Sequence, residues 1–448
     1  MKNMTTGNTT KLILGFALPV LLGNIFQQFY MMADTMMVGR ILGVQALAAM
    51  GATSSLSGLV LGLTTGVSMG VSVMIAHYYG ARDEAKMKQA CAGCIKLCTI
   101  SVCIIFIVAL ALKVPLLHLL QTPESIMEMS DTYLTIIIFG LFVTMAYNAM
   151  ASMLRAIGDS KTPLYFLIVA SLTNVLLDYI FIANFHMGIA GAGYATLISQ
   201  ALSVVLCFIY LKKKYPIFIL KRGEFHVEKS ILKRQITMGI SMGLMNSIVC
   251  IGSVILQSAV NGLGELTIAA HSAARKIVEM FMQPLVSIAI ADTTFVSQNI
   301  GAHKFHRIRE GIKHSLWISF IWVVFVIFIS FTCIDFFIGF LVSAQQSKVI
   351  ELAAYYTRIS SVFYFALAAL FIYRNSLQGL GNGRIPIVSS CIEMGVKVVA
   401  TFALIPYTGY TGICLAEPIA WTLMAPVLIV FFYKDLKEKE KYQSDITI

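Results

Sequence analysis

Twelve stretches of predominantly apolar residues, each long enough to cross a bilayer, constrain this chain more than any other feature. A membrane-spanning helix needs about 20 such residues. The stretches lie near 11–38, 45–79, 88–113, 127–156, 162–184, 190–211, 232–261, 266–300, 311–341, 348–379, 385–406 and 410–433. Several exceed the minimum, which implies tilt or extension beyond the hydrocarbon. Only 12% of residues are charged, against about a quarter in soluble domains, and mean hydropathy is +0.81. The first apolar run continues to Val38, too long for a cleavable leader, so it is expected to stay as the first span.

Charge orients the spans. Lys and Arg fill every second loop: Arg82, Lys86 and Lys88; Arg155 and Lys161; Lys212–Lys214, Lys221, Arg222, Lys229, Lys233 and Arg234; Lys304, Arg307, Arg309 and Lys313; Arg384; and Lys434, Lys437, Lys439 and Lys441. The intervening loops carry few: Arg40, Lys113 and Lys348. The positive-inside rule then places both termini in the cytoplasm. The net charge of +11 belongs to loops facing anionic lipid, which argues against a nucleic-acid partner. The expected location is the bacterial cytoplasmic (inner) membrane, with multiple passes. Cys91, Cys94 and Cys98 sit at helical spacing inside one apolar segment with no His at zinc spacing, which points to packing rather than metal.

The sequence repeats itself. Gly43-Val-Gln-Ala-Leu-Ala-Ala matches Gly264-Glu-Leu-Thr-Ile-Ala-Ala, and Tyr79-Gly-Ala-Arg matches Ile300-Gly-Ala-His, both at an offset of 221 (264 minus 43, 301 minus 80). Leu154-Arg-Ala-Ile-Gly-Asp-Ser-Lys-Thr-Pro matches Leu377-Gln-Gly-Leu-Gly-Asn-Gly-Arg-Ile-Pro at 223 (377 minus 154). Gly188 and Gly191 match Gly409 and Gly412 at 221 again (409 minus 188). Six spans precede the basic segment and six follow it, so the repeat is parallel, an architecture of transporters. The expected fold is an all-α membrane protein with twelve transmembrane helices in two pseudo-symmetric six-helix bundles around a central cleft. The expected divisions are an N-terminal lobe at 1–211, a cytoplasmic linker at 212–231, a C-terminal lobe at 232–434 and a cytoplasmic tail at 435–448.

Ionisable groups at membrane depth are expensive and mark function. Asp34 lies in the first span and Asp178 in the fifth, where Asn174 shares its helical face four residues earlier. Two carboxylates in low dielectric cannot both stay ionised cheaply, so the pair suits a proton; the same oxygens, with an amide and a hydroxyl, suit sodium. A structural hydrogen-bonded pair is the plainer alternative. Pro19 interrupts the first span and invites a kink that can act as a gate. Glu393 and Lys397, spaced i,i+4, suit an internal ion pair. Arg374, Glu417 and Glu279, with Arg275 and Lys276, are further candidates to line a cavity in the second half. Phosphate-loop and other enzyme signatures are absent, so no catalytic residue, enzyme activity or cofactor is expected, and ATP does not drive the chain directly.

The whole pattern resembles the MATE (multidrug and toxic compound extrusion) family. The resemblance spans nearly the entire chain and rests on the six-plus-six halves, the repeated Gly-Ala at 80–81 and 301–302, and the segments 155–163 and 378–386. It implies export of cationic, amphipathic drugs or toxins in exchange for protons or sodium, by alternating access. It also implies a cation-coupling site of Asp34, Asn174, Asp178 and Thr196 behind the kinking Pro19, with no other metal. Membrane lipids and the exported compounds are the expected partners, and the chain is expected to act as a monomer. The family's acidic residues of helices seven and ten have no match here: helix seven offers Asn246 and Gln257, helix ten Arg374. A flippase or carrier for a lipid-linked or other anionic metabolite is the alternative, sustained by Arg374 and Lys397; a receptor without transport is a third.

Overall fold

A computed structural model describes residues 3–340 and 346–447. The first repeat comprises α1 (Thr9–Ile41), α2 (Val44–Ala81), α3 (Glu84–Leu119), α4 (Glu124–Ala156), α5 (Lys161–Asp178, continued by a π-helical turn Tyr179–Asn184) and α6 (Ile189–Lys214). The second comprises α7 (Lys229–Asn261), α8 (Glu265–Gly301), α9 (Phe305–Thr332), the short α10 (Ile334–Gly339), α11 (Ser347–Val362), α12 (Tyr364–Gly379), α13 (Arg384–Thr408) and α14 (Tyr410–Thr447). Eleven helices among the described residues are long and apolar enough to cross a membrane, and the bent pair α11–α12 makes up to twelve.

The internal repeat extends to the backbone. Helices α2 and α8 begin 221 residues apart (265 minus 44), as do α3 and α9 (305 minus 84) and α6 and α14 (410 minus 189). Helices α4 and α11 begin 223 apart (347 minus 124), as do α5 and α13 (384 minus 161). Left-handed backbone recurs at the same offsets: Arg82 and His303 hold φ of 57° and 56°, and Gly158 and Gly381 both hold 83°. A non-glycine residue in that region is uncommon, so Arg82 and His303 mark a shared way of ending α2 and α8. The offset falls back from 223 to 221 after α5, where the first repeat carries its π-helical turn. Such turns arise where residues are accommodated inside a helix and often sit at functional sites.

Three details depart from the sequence reading. The expected helix 348–379 breaks at Phe363 with a bend of 54°. No proline causes it; the Ser361 hydroxyl donates to the Arg358 carbonyl and the Phe363 N–H donates to Ser360 at i−3 rather than i−4, a serine-pair route to a kink. The expected span 311–341 starts earlier, at Phe305, and α9 ends at Thr332, while position 341 lies outside the described residues. The expected tail is helical as far as Thr447, a continuation of α14 whose Glu440 pairs with Arg309.

The compact units also divide elsewhere than at 212–231. One holds Pro19–Ser247 with Asn3; the other holds Met4–Leu18 with Ile248–Ile448. Helix α1 thus changes unit at Pro19 and α7 at Ser247, although both helices run unbroken. Within the first unit, glycines spaced by four explain why the start of α7 belongs there. A Cβ at Gly66 would lie 2.4 Å from the Met242 carbonyl oxygen, and one at Gly70 would lie 2.2 Å from that of Met238. Gly239 and Gly243 answer from α7, against Val71 and against Leu63 and Val67. Such small-residue stripes let membrane helices approach closely where no hydrophobic effect drives them together. Gln235 locks the same crossing, donating from Nε2 to the carbonyls of Val71 (3.1 Å) and Ala90 (2.7 Å). In the second unit the N-terminal segment is held likewise: the Met4 N–H donates to Gln298 Oε1 (3.0 Å) and Lys304 Nζ to the Thr5 carbonyl (2.8 Å). Cys91, Cys94 and Cys98 lie in the apolar core of the first unit with Val71 and Met74.

The α2–α7 crossing yields a stability test. Gly70→Ala drives a Cβ into backbone and is expected to destabilise by about 1–3 kcal/mol, the cost of overpacking. Gly58→Ala, whose Cβ meets nothing within 4 Å, is expected to be neutral or to gain up to about 1 kcal/mol of helix propensity. Thermal unfolding of the two variants in detergent, beside wild type, checks the contrast.

Candidate functional site

Four of the residues singled out in the first half come together inside the first unit. Asp34 is 6% exposed, Asn174 1% and Asp178 0%. Asn174 and Asp178 lie one turn apart on the buried face of α5, Asp178 at the end where the regular helix gives way to the π-helical turn. Asn174 Nδ2 donates to Thr196 Oγ1 on α6 at 3.3 Å. Asp34 arrives from α1, and its charge reaches the Asp178 carboxylate. Tyr30, one turn before Asp34, and Tyr133 of α4 lie within the field of both.

The polar accounting inside this pocket does not close. Asp34 Oδ1, both carboxylate oxygens of Asp178 and Asn174 Oδ1 are buried and accept no hydrogen bond among the described residues. Neither aspartate makes an ion pair among the described residues, in keeping with the absence of Lys or Arg in the adjoining turns. Taking a carboxylate out of water costs several kcal/mol even after relaxation, and a buried acceptor left without a donor costs about 1–3 kcal/mol more. A proton or a cation bound among these oxygens would relieve that cost. Three carboxylate oxygens, an amide oxygen and a hydroxyl are a hard, all-oxygen donor set, suited to protons and to sodium-like ions and unsuited to soft metals.

The second unit brings its charged residues together differently from the expectation. Lys397 does not pair with Glu393 one turn away. Lys397 Nζ donates to Glu417 Oε1 on α14 at 2.7 Å, while Glu393 pairs with Arg374 of α12. Glu417 also accepts from Arg275 NH1 (2.9 Å) and from the Tyr356 hydroxyl (3.3 Å) at Oε2. Arg275 leans in turn on the half-exposed Glu279 at 3.5 Å. The cavity candidates therefore form two groups: Arg275, Glu279, Lys397 and Glu417 in one, Arg374 and Glu393 in the other. His271 packs edge-on against Tyr356 and meets the Tyr410 hydroxyl at 3.3 Å, a packed histidine. Of the helix-seven amides, Asn246 donates to the Gly62 carbonyl in the first unit (3.2 Å) and Gln257 to Asn261 in the second (3.0 Å).

Sequence reasoning passed over Tyr30, although its spacing of four from Asp34 puts both on one face of α1, and over Tyr133 and Tyr356, which only packing places beside carboxylates. It also passed over Asp292 in α8, which is fully buried with its Oδ1 accepting from Ser315 at 2.6 Å. Asp292 lies within an apolar span, so the criterion that found Asp34 applied to it equally.

The MatE family model matches residues 19–180 and again 241–403, one copy in each repeat. The probable multidrug resistance protein YoeA of Bacillus subtilis (strain 168) is 27% identical over 436 residues, 95% of this chain and 93% of that one. The probable multidrug resistance protein YpnP of the same strain is 32% identical over 302 residues, 67% of each. Among solved structures, an outward-facing multidrug resistance MATE family transporter of the MOP superfamily superposes with a TM-score of 0.90 at 22% identity, covering 98% of this chain and 99% of that one. With the family model on both repeats and relatives aligned along nearly the whole length, the chain belongs to the MATE family of multi-pass membrane transporters.

Proposed function

We propose that the chain is a secondary-active multidrug exporter that antiports cationic, amphipathic compounds against inward proton or sodium flow. Asp34, Asn174, Asp178 and Thr196 form the coupling site in this reading. The observation that carries it is the set of buried, unpartnered oxygens on Asp34, Asp178 and Asn174. The names of the relatives, given for multidrug resistance, support the substrate class. The alternation of basic loops supports a cytoplasmic (inner) membrane location with both termini inside.

The energetics are adequate for such a cycle. Moving a two-state equilibrium from 1:99 to 99:1 needs about 5.5 kcal/mol of differential affinity. An uncompensated buried carboxylate costs several kcal/mol, so filling or emptying a site with two of them biases a conformational equilibrium by the required amount. The membrane potential contributes about 2.3 kcal/mol per charge per 100 mV to a cation moving inward. Helix α1 is the element suited to transmit the change. It carries Asp34 in the first unit, has its opening turns in the second, and passes between them at Pro19, where the ladder lacks a donor. Coupling then requires that cation and drug prefer different states.

A carrier of anionic, lipid-linked metabolites is the second reading, favoured by Lys397, Arg275 and Arg374 in the second unit. Each of these cations already holds a carboxylate partner, which weighs against it.

Proteoliposomes loaded with a fluorescent lipophilic cation, under a pH gradient or a sodium gradient imposed separately, test the proposal. Asp34→Asn and Asp178→Asn are each expected to abolish gradient-driven drug movement while leaving the protein folded. Unchanged coupling in both variants sinks the coupling site, and no movement under either gradient in folded wild type sinks the exporter reading. Asn174→Ala removes one oxygen and is expected to raise the half-saturating concentration of the coupling ion about tenfold, equivalent to about 1.4 kcal/mol. An ion-titration curve of transport, at fixed drug, checks the shift.

A further inference from the structure

The repeat offsets allow the coupling pocket of the first unit to be looked up in the second, residue by residue. At the offset of 223 that holds for α4–α5 against α11–α13, Tyr133 repeats as Tyr356, Asn174 as Lys397 and Asp178 as Thr401. At the offset of 221 that holds for α2–α8 and α6–α14, Thr196 repeats as Glu417 and Ser54 as Arg275; α1 and α7 begin 220 apart (229 minus 9), which puts the apolar Val254 opposite Asp34. The contact that joins the first pocket, Asn174 to Thr196 at 3.3 Å, is matched by Lys397 to Glu417 at 2.7 Å. The second pocket is therefore a copy of the first with its chemistry exchanged. Two carboxylates have become one, and two cations have been introduced.

The hydrogen-bond accounting separates the copies. In the first pocket the oxygens of Asp178, with Asp34 Oδ1 and Asn174 Oδ1, lack partners. In the second, Glu417 Oε1 accepts from Lys397, and Glu417 Oε2 accepts from Arg275 and Tyr356. The side chains of Lys397 and Glu417 are 8% and 7% exposed, so this pair is shielded from water. Arg275 balances its charge with Glu279 as well. The ammonium lies beside the α7 backbone at Gly252, where a Cβ would be in ordinary contact with Lys397 Nζ at 3.8 Å.

We propose that the second unit contains a built-in counterpart of the exchangeable cation: a pocket for a primary ammonium group, permanently filled by Lys397 and read by Glu417. The inference rests on the coupling-site reading of Asp34 and Asp178. Exchange with the bulk cation then takes place in the first unit alone, and the second unit is held in the state that a filled pocket favours. The residue that replaces Asn174 supplies the cation, and the residue that replaces Thr196 supplies its counter-charge.

Truncation and refilling test the pocket. Lys397→Ala removes three methylenes and the amine, which n-propylammonium restores as a separate molecule. Thermal unfolding of purified Lys397→Ala in n-propylammonium chloride, with tetramethylammonium chloride as the comparison, is the measurement. The expected result is a loss of thermal stability that n-propylammonium reverses with saturation and tetramethylammonium does not. Lys397→Ala/Glu417→Gln is expected to lose that response. If Lys397→Ala folds only when extracted in n-propylammonium, the same conclusion follows. Lys397→Met/Glu417→Gln, neutral and of similar size, is expected to fold with or without the amine. Absence of saturable reversal in Lys397→Ala overturns the proposal, as does equal reversal in the double variant, or failure of Lys397→Ala to fold in either salt while Lys397→Met/Glu417→Gln folds. The readout does not involve transport, so failure of Asp34 and Asp178 as coupling residues is scored separately by the proteoliposome experiment.

Discussion

Water is absent from the hydrocarbon interior, so every buried polar group must find its partner inside the protein or carry a cost of several kcal/mol. The helices satisfy the backbone and leave the side chains as the open question. Where helices must touch, no hydrophobic effect presses them together, and glycines at spacing four on α2 and α7 make the approach close enough for dispersion and for hydrogen bonds from Gln235. Among the buried carboxylates, both oxygens of Glu417 have donors, Asp292 has a donor at Oδ1 only, and neither oxygen of Asp178 has one among the described residues.

The same constraint applies to two copies of one pocket that differ in how their polar atoms are partnered. A duplicated bundle offers the same geometry twice, because the helix starts and the left-handed turns recur at constant offsets. The side chains placed on that shared geometry differ in charge: the first copy carries carboxylates, and the second adds Lys397 and Arg275. The first copy has two acids with no base; the second has Glu417 between Lys397 and Arg275, with Glu279 on the far side of Arg275. Helices α1 and α7 each contribute to both compact units.

Much of this was legible from residues alone, and the reasons for the failures are physical. Apolar length found the spans because the bilayer sets a minimum that few other structures meet. Asp34, Asn174 and Asp178 were found because charge at membrane depth is expensive and because positions four apart share a helical face. That spacing misled at Glu393 and Lys397: neighbours along one helix can pair, but Glu417 on α14 and Arg374 on α12 offered better partners from outside it. Composition marked 212–231 as a boundary because charge marks water. The packing boundary lies further on, at Ser247, because glycine spacing rather than charge decides which helices meet.

The sequence by itself determined the solvent, the helical class, the parallel repeat and the acids that make function expensive. These are properties of single segments and of segment-to-segment identity, and they need no knowledge of contacts. Only the tertiary structure decided which oxygens remain without donors, which base neutralises Glu417, and where α1 and α7 change unit. Those outcomes depend on distances between residues tens to hundreds of positions apart, and in a medium without water a partner at 2.7 Å and a missing partner have opposite consequences.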